Sequence, residues 1–260
     1  MNMLEIRDLS VGYGRKTIWN RLDLCVQAGE FVVLLGKNGC GKTTLLKAIQ
    51  GNLPLRNGSI SINGTNLANL SVRKRAALVT TMPQEIPAEG GLTGMDYLEM
   101  GLYPARGPFA KLTGTDSEKI QNLAEPFGAA ALLQRDLAEM SAGERQMLSL
   151  LRAALQDTPV LLLDEPASAL DFGHTAALFS MLQKLAAQGK CILAVLHDPT
   201  AALRYGSRLL CLEEGQCTAD FRPSETAPEQ IEANLRWLYP TLRLHMDPMF
   251  CWSEEMKTEE

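Results

Sequence analysis

The chain has 260 residues, of which 46% are hydrophobic and 21% are charged, and its formal net charge is −5. These values are typical of a globular protein with a sizeable buried core, and the negative charge argues against a nucleic acid held by bulk electrostatics. No apolar run is long enough to span a bilayer, and the first residues lack the basic start and apolar stretch of a signal peptide. We therefore expect a cytosolic chain that has no nucleic-acid partner.

The N-terminal part of the chain is predicted to contain short strands and one helix. Alternating or continuous apolar residues indicate strands over 4–9, 22–26, 31–35, 59–64 and 78–82. The run 31–35 is apolar throughout, which indicates a strand buried on both faces. A helix is predicted over 42–50, and Gly51 is its stop signal.

Helical patterns predominate from about residue 83 to residue 156, and strands alternate with helices after that. Helices are predicted over 93–102, 117–127, 129–134, 142–156, 175–188 and 199–205, and strands over 160–163, 191–196 and 208–212. Continuous apolar strands that alternate with helices imply a mainly parallel sheet covered by helices. The sequence therefore predicts an α/β fold, with the helical block that ends near residue 156 as an insertion.

The end of the chain carries a short amphipathic pattern. Residues 226–229 match a capping box that begins at Thr226, and Ile231, Leu235 and Leu238 follow at i, i+4 and i+7. This pattern predicts a short helix. The last residues, 253–260, are polar, and we expect them to be frayed.

A phosphate-binding loop follows the strand 31–35 and opens the helix 42–50. The loop and the start of the helix read Gly36, Lys37, Asn38, Gly39, Cys40, Gly41, Lys42, Thr43 and Thr44, which fits G-x-x-x-x-G-K-[ST]. Glycines let backbone N–H groups curl around phosphate oxygens, and the helix N-terminus adds partial positive charge. Lys42 is expected to reach the β- and γ-phosphates and Thr43 to bind Mg²⁺. The pattern predicts that the chain binds ATP and hydrolyses it.

Two carboxylates complement this loop. Asp164 and Glu165 end the apolar strand 160–163, at the edge where α/β sheets bind their ligands. Asp164 is expected to hold Mg²⁺ through water, and Glu165 to act as the general base for the attacking water. ATP and Mg²⁺ are therefore the expected cofactors.

The segment Met140-Ser141-Ala142-Gly143-Glu144-Arg145-Gln146 resembles the LSGGQ signature of ATP-binding-cassette (ABC) ATPases. Further positions resemble the rest of that family's motif set in order and spacing. They are Tyr13 for the adenine-stacking aromatic, Gln84 for the Q-loop, Asp171 for the D-loop and His197 for the switch histidine. The resemblance covers about residues 3–220.

The resemblance implies a P-loop NTPase core with a mainly parallel sheet, an N-terminal antiparallel β-subdomain and an inserted α-helical subdomain. The expected ABC ATPase domain is 1–220, with its core at 1–85 and 157–220 and its helical subdomain at about 86–156. A C-terminal helical tail is expected over 221–260.

The resemblance also implies roles for single residues. Gln84 would contact Mg²⁺ and a moving subdomain, and His197 would donate a hydrogen bond to the γ-phosphate. With Lys42 and Glu165, these two form the expected catalytic set. Plainer alternatives remain open, because Tyr13 is also read as a turn tyrosine, His197 as a core histidine and Asp171 as a helix cap.

A head-to-tail dimer with two composite ATP sites follows from the same resemblance. Ser141, Ala142, Gly143 and Glu144 begin a helix of the insertion, and they would close over the ATP bound by a second copy of the chain. ATP joins the two copies, and its hydrolysis releases them.

Some positions depart from the commonest family pattern. Lys37 stands where proline is frequent, Met140 stands for leucine, and Ala142 stands for the first signature glycine. A helical φ at Ala142 would accept its Cβ. Cys40 is read as a small residue that fills the loop, with a redox switch as the alternative.

The region 92–104 resembles the corresponding region of ATPases that serve iron–siderophore, haem and vitamin B12 importers, although Leu102 and Ala105 depart from it. This resemblance implies a subunit on the cytoplasmic side of the membrane that binds integral-membrane permease subunits and serves a substrate-binding protein indirectly. The alternative is a soluble ABC ATPase without a transporter, such as a cofactor-assembly ATPase. Co-purification with a permease through the surface around Gln84 and Tyr103 would distinguish them.

Overall fold

A computed structural model of the chain describes residues 2–82, 90–103, 113–168, 170–246 and 252–254. The strands are β1 (Asn2–Tyr13), β2 (Lys16–Gln27), β3 (Phe31–Leu35), β4 (Asn57–Ile62), β5 (Thr65–Asn66), β6 (Val79–Thr81), β7 (Val160–Asp164), β8 (Cys191–Val195), β9 (Arg208–Glu213), β10 (Gln216–Phe221), β11 (Leu244–Met246) and β12 (Trp252–Glu254). The α-helices are α1 (Lys42–Gln50), α2 (Val72–Ala76), α3 (Gly94–Glu99), α4 (Gly114–Ala124), α5 (Ala142–Leu155), α6 (Phe172–Ala187), α7 (Pro199–Tyr205) and α8 (Pro228–Leu235).

A six-stranded sheet forms the centre of the fold, in the order β10-β9-β3-β8-β7-β6. Every pairing in it is parallel except that of β10 with β9. The expected mainly parallel sheet is confirmed. Because β3, β8 and β7 are neighbours, the loops at their carboxyl ends lie side by side.

The core lies on both faces of this sheet. On strand β3, Val32 and Leu34 belong to one buried cluster with α1, whereas Phe31, Val33 and Leu35 belong to a second cluster with the helices of the other face. All five side chains are buried, as the continuous apolar run predicts.

An antiparallel sheet covers α1 from the other side. Its order is β2-β1-β4-β5, and buried residues of β1 and β2 join the same cluster as α1. The turn after β4 has positive φ at Asn63 and Gly64, which agrees with the predicted Asn-Gly turn. This sheet places Tyr13, at the end of β1, near the rim of the core.

The described residues between β6 and β7 are largely helical, with some departures from the sequence prediction. The helix expected over 93–102 ends at Glu99 and continues as a 3₁₀ turn, Met100–Leu102. The helix expected over 129–134 is wrong, because only a 3₁₀ turn, Ala130–Leu132, forms there. Gly128, with φ 64°, ends the preceding turn and leaves too few residues for a stable helix.

The C-terminal helix α8 is present, but its predicted cap is wrong. Its N-cap is Ala227, and Pro228 is its first residue. The hydroxyl of Thr226 instead donates to the Arg222 carbonyl at 2.8 Å. A small antiparallel pair, β11 with β12, follows the helix and was not predicted. None of the helices in the described ranges is long and apolar enough to cross a bilayer.

Candidate functional site

The loop between β3 and α1 encloses the side chain of Lys42. Its Nζ donates to the carbonyl oxygens of Gly36 at 2.6 Å and of Lys37 at 3.1 Å, and the residue is 6% exposed. Asn38 and Gly39 are exposed at the top of the loop. The loop therefore curls around the Lys42 ammonium, and backbone N–H groups of such a curled loop bind phosphate oxygens.

A buried tryptophan supports the loop from below. Trp19, on β2, is fully buried, and its Nε1 donates to the Gly41 carbonyl at 2.8 Å. Gly41 has φ 110°, and a Cβ there would lie 2.7 Å from that same nitrogen. No sequence motif links Trp19 to a loop 22 residues away, so its place under the loop is not evident from the sequence.

The structure brings two of the three predicted Mg²⁺ ligands, Thr43 and Asp164, together. Thr43, in the first turn of α1, donates from Oγ1 to Oδ2 of Asp164, at the end of β7, at 2.7 Å. A cleft of about 140 Å³ opens beside them. Its lining includes Asn38, Gly39, Gly41, Lys42, Thr43, Thr44, Asp164 and Glu165.

Glu165 and His197 form the second contact of the site. Nε2 of His197 lies 2.7 Å from Oε1 of Glu165, and both side chains are about half-exposed. Glu165 has φ 52°, unusual for a residue with a Cβ, and its N–H donates to the Val195 carbonyl at 3.2 Å. The Glu165 backbone is therefore held in the left-handed region at the end of β7, and its carboxylate lies beside the His197 ring.

The residues that resemble the signature form the start of α5. Ser141 is the N-cap, its hydroxyl accepts from Glu144 N–H, and the Glu144 carboxylate accepts from Ser141 N–H at 2.7 Å. That backbone hydrogen bond lowers the pKa of Glu144, and Arg135 adds to the shift. Ala142 and Gly143 are the first residues of the helix, so the Ala142 backbone is helical.

One side chain of α5 contacts the backbone of Glu165. Gln146 Nε2 donates to the Glu165 carbonyl oxygen at 3.3 Å. Gln146 belongs to the segment that resembles the signature, but the sequence assigns it no role. The contact links the helical segment to the end of β7.

Asp171 is the N-cap of α6, the plainer of the two roles considered for it. Its carboxylate accepts from the His174 N–H at 2.9 Å and lies 2.8 Å from His174 Nδ1. The hydrogen bond to the His174 backbone is the main cause of its lowered pKa. A cap role is compatible with a D-loop role.

Tyr13 is 47% exposed at the end of β1. The hairpin that carries it is clamped by Arg56, whose Nη2 donates to the carbonyls of Gly14 and Lys16 at 2.8 and 3.0 Å. A cleft of about 520 Å³ lies between this hairpin and the loop. It is lined by Lys16, Thr17, Ile18, Lys37, Asn38, Gly39, Cys40, Glu213, Glu214 and Gly215.

Of the predicted site residues, Cys40 lies inside the phosphate-binding loop. Cys40 is 8% exposed, and its Sγ lies 3.9 Å from Lys42 Nζ. It occupies the inside of the loop, as a small filling residue does. Gln84 lies outside the described residues.

The geometry suits one class of reaction. A backbone ring around a lysine binds phosphate oxygens, while a carboxylate paired with a histidine sits at the same sheet edge, where it can take a proton from water. The neighbouring cleft has room for a nucleoside. Hydrolysis of a nucleoside triphosphate uses every one of these groups.

Comparison with known proteins agrees. The ABC transporter family matches residues 19–168. The iron(3+)-hydroxamate import ATP-binding protein FhuC of Bacillus subtilis is 32% identical over 83% of this chain and 80% of its own length. The hemin import ATP-binding protein HmuV of Rhodococcus jostii is 30% identical over 88% of this chain and 77% of its own length.

A solved structure of an ATP-binding subunit of an ABC transporter superposes with a TM-score of 0.77 at 27% identity, over 92% of this chain and 93% of that chain. The chain therefore belongs to the ABC transporter family, as an ATP-binding subunit that hydrolyses ATP.

Proposed function

We propose that this chain powers the import of a metal chelate, such as an iron–siderophore complex, haem or a cobalamin, through a membrane permease. The observation that carries the proposal is that relatives matched over most of this chain are import ATP-binding proteins for iron(3+)-hydroxamate and hemin. The chain itself holds the ATP-hydrolysing machinery and leaves substrate selection to its partners.

Within the site, we assign a role to each residue. Lys42 and the backbone of 36–44 bind the β- and γ-phosphates, and Tyr13 stacks on the adenine. Glu165 accepts the proton of the attacking water. His197, 2.7 Å from Glu165, holds the γ-phosphate and orients the carboxylate, and Gln84 completes the set from the adjoining loop.

The residues present fit Mg²⁺. Thr43 Oγ1 and Asp164 Oδ2 are hard oxygen donors 2.7 Å apart. Within the described ranges, no group of three or more His, Cys, Asp and Glu side chains could hold a metal. Mg²⁺ takes one or two protein oxygens and fills its remaining positions with phosphate and water. Bound there, the ion would neutralise charge on the β- and γ-phosphates.

The second half of each ATP site comes from another copy of the chain. Ser141 and the N–H groups of Ala142 and Gly143 begin a helix, and helix N-termini bind phosphate. Glu144 fixes this terminus through the capping box, and Asp171 shapes the neighbouring loop. Two copies packed head to tail would enclose two ATP molecules.

The helical subdomain would provide the surface that contacts the permease. The core comprises 1–85 and 157–220, and the helical subdomain, about 86–156, rotates against it when ATP binds. Tyr103, the C-cap of the 3₁₀ turn Met100–Leu102 and 37% exposed, belongs to the surface that would meet the permease on the cytoplasmic side of the membrane. The tail, 221–260, follows the core in the chain.

Uptake by the reconstituted transporter tests this function. The chain is co-expressed with its candidate permease, and ATP-dependent uptake is measured for labelled ferric hydroxamate, haem and cobalamin. We expect uptake of one of these chelates, and none when Lys42→Ala replaces the wild-type chain. An active ATPase that joins no permease and supports no uptake would instead indicate a non-transport ATPase, such as one in cofactor assembly.

A further inference from the structure

Two aromatic side chains of the C-terminal tail contact the two loops of the ATP site. The hydroxyl of Tyr239 donates to the backbone carbonyl of His197 at 2.6 Å. Nζ of Lys37, in the phosphate-binding loop, lies 5.6 Å from the ring centroid of Trp237. We call residues 235–242 the tail segment. It reaches both loops within a span of three residues.

The tail segment is fixed to the body of the protein at both ends. Leu235 is fully buried and Leu242 is 3% exposed, and both belong to the main core cluster. Between them, the Tyr239 N–H donates to the Leu235 carbonyl at 2.8 Å, and the Leu242 N–H donates to the Tyr239 carbonyl at 3.1 Å. Buried anchors and a closed turn hold the two aromatic rings in place.

The Tyr239 contact acts on the catalytic pair through a single peptide group. The carbonyl that it binds belongs to His197, whose ring lies 2.7 Å from Glu165. Rotation of that peptide would move the imidazole and lengthen this contact. Because catalytic groups work only within a narrow range of positions, a hydrogen bond that fixes the peptide acts on the rate.

The Trp237 contact acts on the nucleotide cleft. Lys37 lines that cleft, and its long side chain is otherwise free to sample many rotamers. An ammonium over an indole face is held by the ring's electron density. The indole Nε1 is buried and has no hydrogen-bond partner in the described part of the chain, a cost that phenylalanine would avoid.

We propose that the tail segment is a working part of the ATP site, in which Tyr239 positions His197 and Trp237 positions Lys37. This proposal rests on the residue roles given above for ATP hydrolysis. Neither residue touches the reacting atoms, so both are positioning residues, and each has its own kinetic signature.

The first test removes only the Tyr239 hydroxyl. In the purified full-length chain, we expect Tyr239→Phe to lower kcat for ATP hydrolysis about two- to tenfold, the effect of one hydrogen bond, with the KM for ATP unchanged and the melting temperature lowered by at most about 2–4 °C. Tyr205→Phe is the matched control, since Tyr205 stacks on Phe179 outside both loops, and it should retain wild-type kcat. A wild-type kcat in Tyr239→Phe, or an equal loss in the control, would overturn the proposal.

The second test concerns Trp237. We expect Trp237→Leu to raise the KM for ATP about two- to fivefold, as the loss of one exposed cation–π contact implies, and Trp237→Phe to restore it. In a Lys37→Met background, Trp237→Leu should have no further effect. A further rise in that background would show that Trp237 does not act through Lys37.

Failure of this inference differs from failure of the proposed function. If the wild-type chain does not hydrolyse ATP, the residue roles given above are wrong. If the wild-type chain hydrolyses ATP and the variants match it, only the role of the tail segment is wrong.

Discussion

Gly41 meets three demands at one position of the phosphate-binding loop. Its φ of 110° favours glycine, its carbonyl accepts from Trp19, and the space for a Cβ is occupied by the indole. The motif predicts a glycine here, but the motif alone explains only the phosphate side. The indole beneath the loop is the second reason that no side chain fits.

Substitution of Gly41 separates backbone strain from steric conflict. Gly41→Ala should lower the free energy of unfolding by about 1–2 kcal/mol for the left-handed backbone and by a further ~1–3 kcal/mol for overpacking against Trp19. Gly64→Ala is the control, because Gly64 has φ 74° and no atom within 4 Å of its ideal Cβ. Urea unfolding measures both variants. Equal losses would show that the indole does not restrict this site.

Ala142 tests how much the signature tolerates. It is the first residue of α5 and its backbone is helical, so its Cβ needs no unusual φ. We expect Ala142→Gly to change the steady-state ATPase rate less than about tenfold, or roughly 1.4 kcal/mol. Turnover of the purified chain at saturating ATP measures this. A much larger change would mean that the methyl group itself obstructs the γ-phosphate.

Site residues that lie within a contiguous motif can be predicted from the sequence. Lys42, Thr43, Asp164 and Glu165 could be assigned because their neighbours in the chain set their surroundings. Trp19, Arg56, Gln146, Trp237 and Tyr239 could not, because each reaches the site from a distant segment. Their contacts depend on strand order and on the path of the tail, and no spacing rule encodes these.

At the scale of single elements, a capping box stabilises the N-terminus of helix α5. The capping box between Ser141 and Glu144 satisfies two backbone N–H groups, and Arg135 pairs with the same carboxylate. The lowered pKa of Glu144 is a direct consequence. Because the folded value lies below the ordinary one of 4.5, ionised Glu144 stabilises the fold above that pH.

Acid titration of stability tests the capping box. The contribution of Glu144 should be lost as the pH falls below about 4.5 and through its folded-state pKa. We expect Glu144→Gln to be less stable than the wild type at pH 7 by about 0.5–1 kcal/mol, with the difference shrinking at pH 3.5. Glu118→Gln changes the same charge at an exposed position of α4 and should follow the wild type. A pH-independent difference for Glu144→Gln would contradict this role.

The elements also show where sequence patterns fail. Helix α1 has the predicted bounds, because Lys42 follows a strained glycine loop and Gly51 ends the helix in the left-handed conformation. The predicted cap at Thr226 is wrong because Pro228 fixes the first helical residue and leaves Ala227 as the cap. Both the pattern and the proline were visible, but the proline imposes the stronger constraint.

For the molecule as a whole, strand order assembles the site. The neighbours β3, β8 and β7 carry, at their carboxyl ends, the phosphate-binding loop, His197 and the pair Asp164–Glu165. Apolar strands alternating with helices predict a parallel sheet, but not which strands are adjacent. Adjacency depends on contacts between segments more than 100 residues apart, such as that of Phe31 with Ile192.

We propose that two copies of this chain close over ATP and that Glu165 then acts as the general base for its hydrolysis. Light scattering of the Glu165→Gln variant tests this most directly, with Lys42→Ala in the same background as the control. With saturating ATP and Mg²⁺, we expect Glu165→Gln to have about twice the 28.5 kDa mass of one chain and the control to stay at one chain. A Glu165→Gln variant that binds ATP and remains at the mass of one chain would contradict the account.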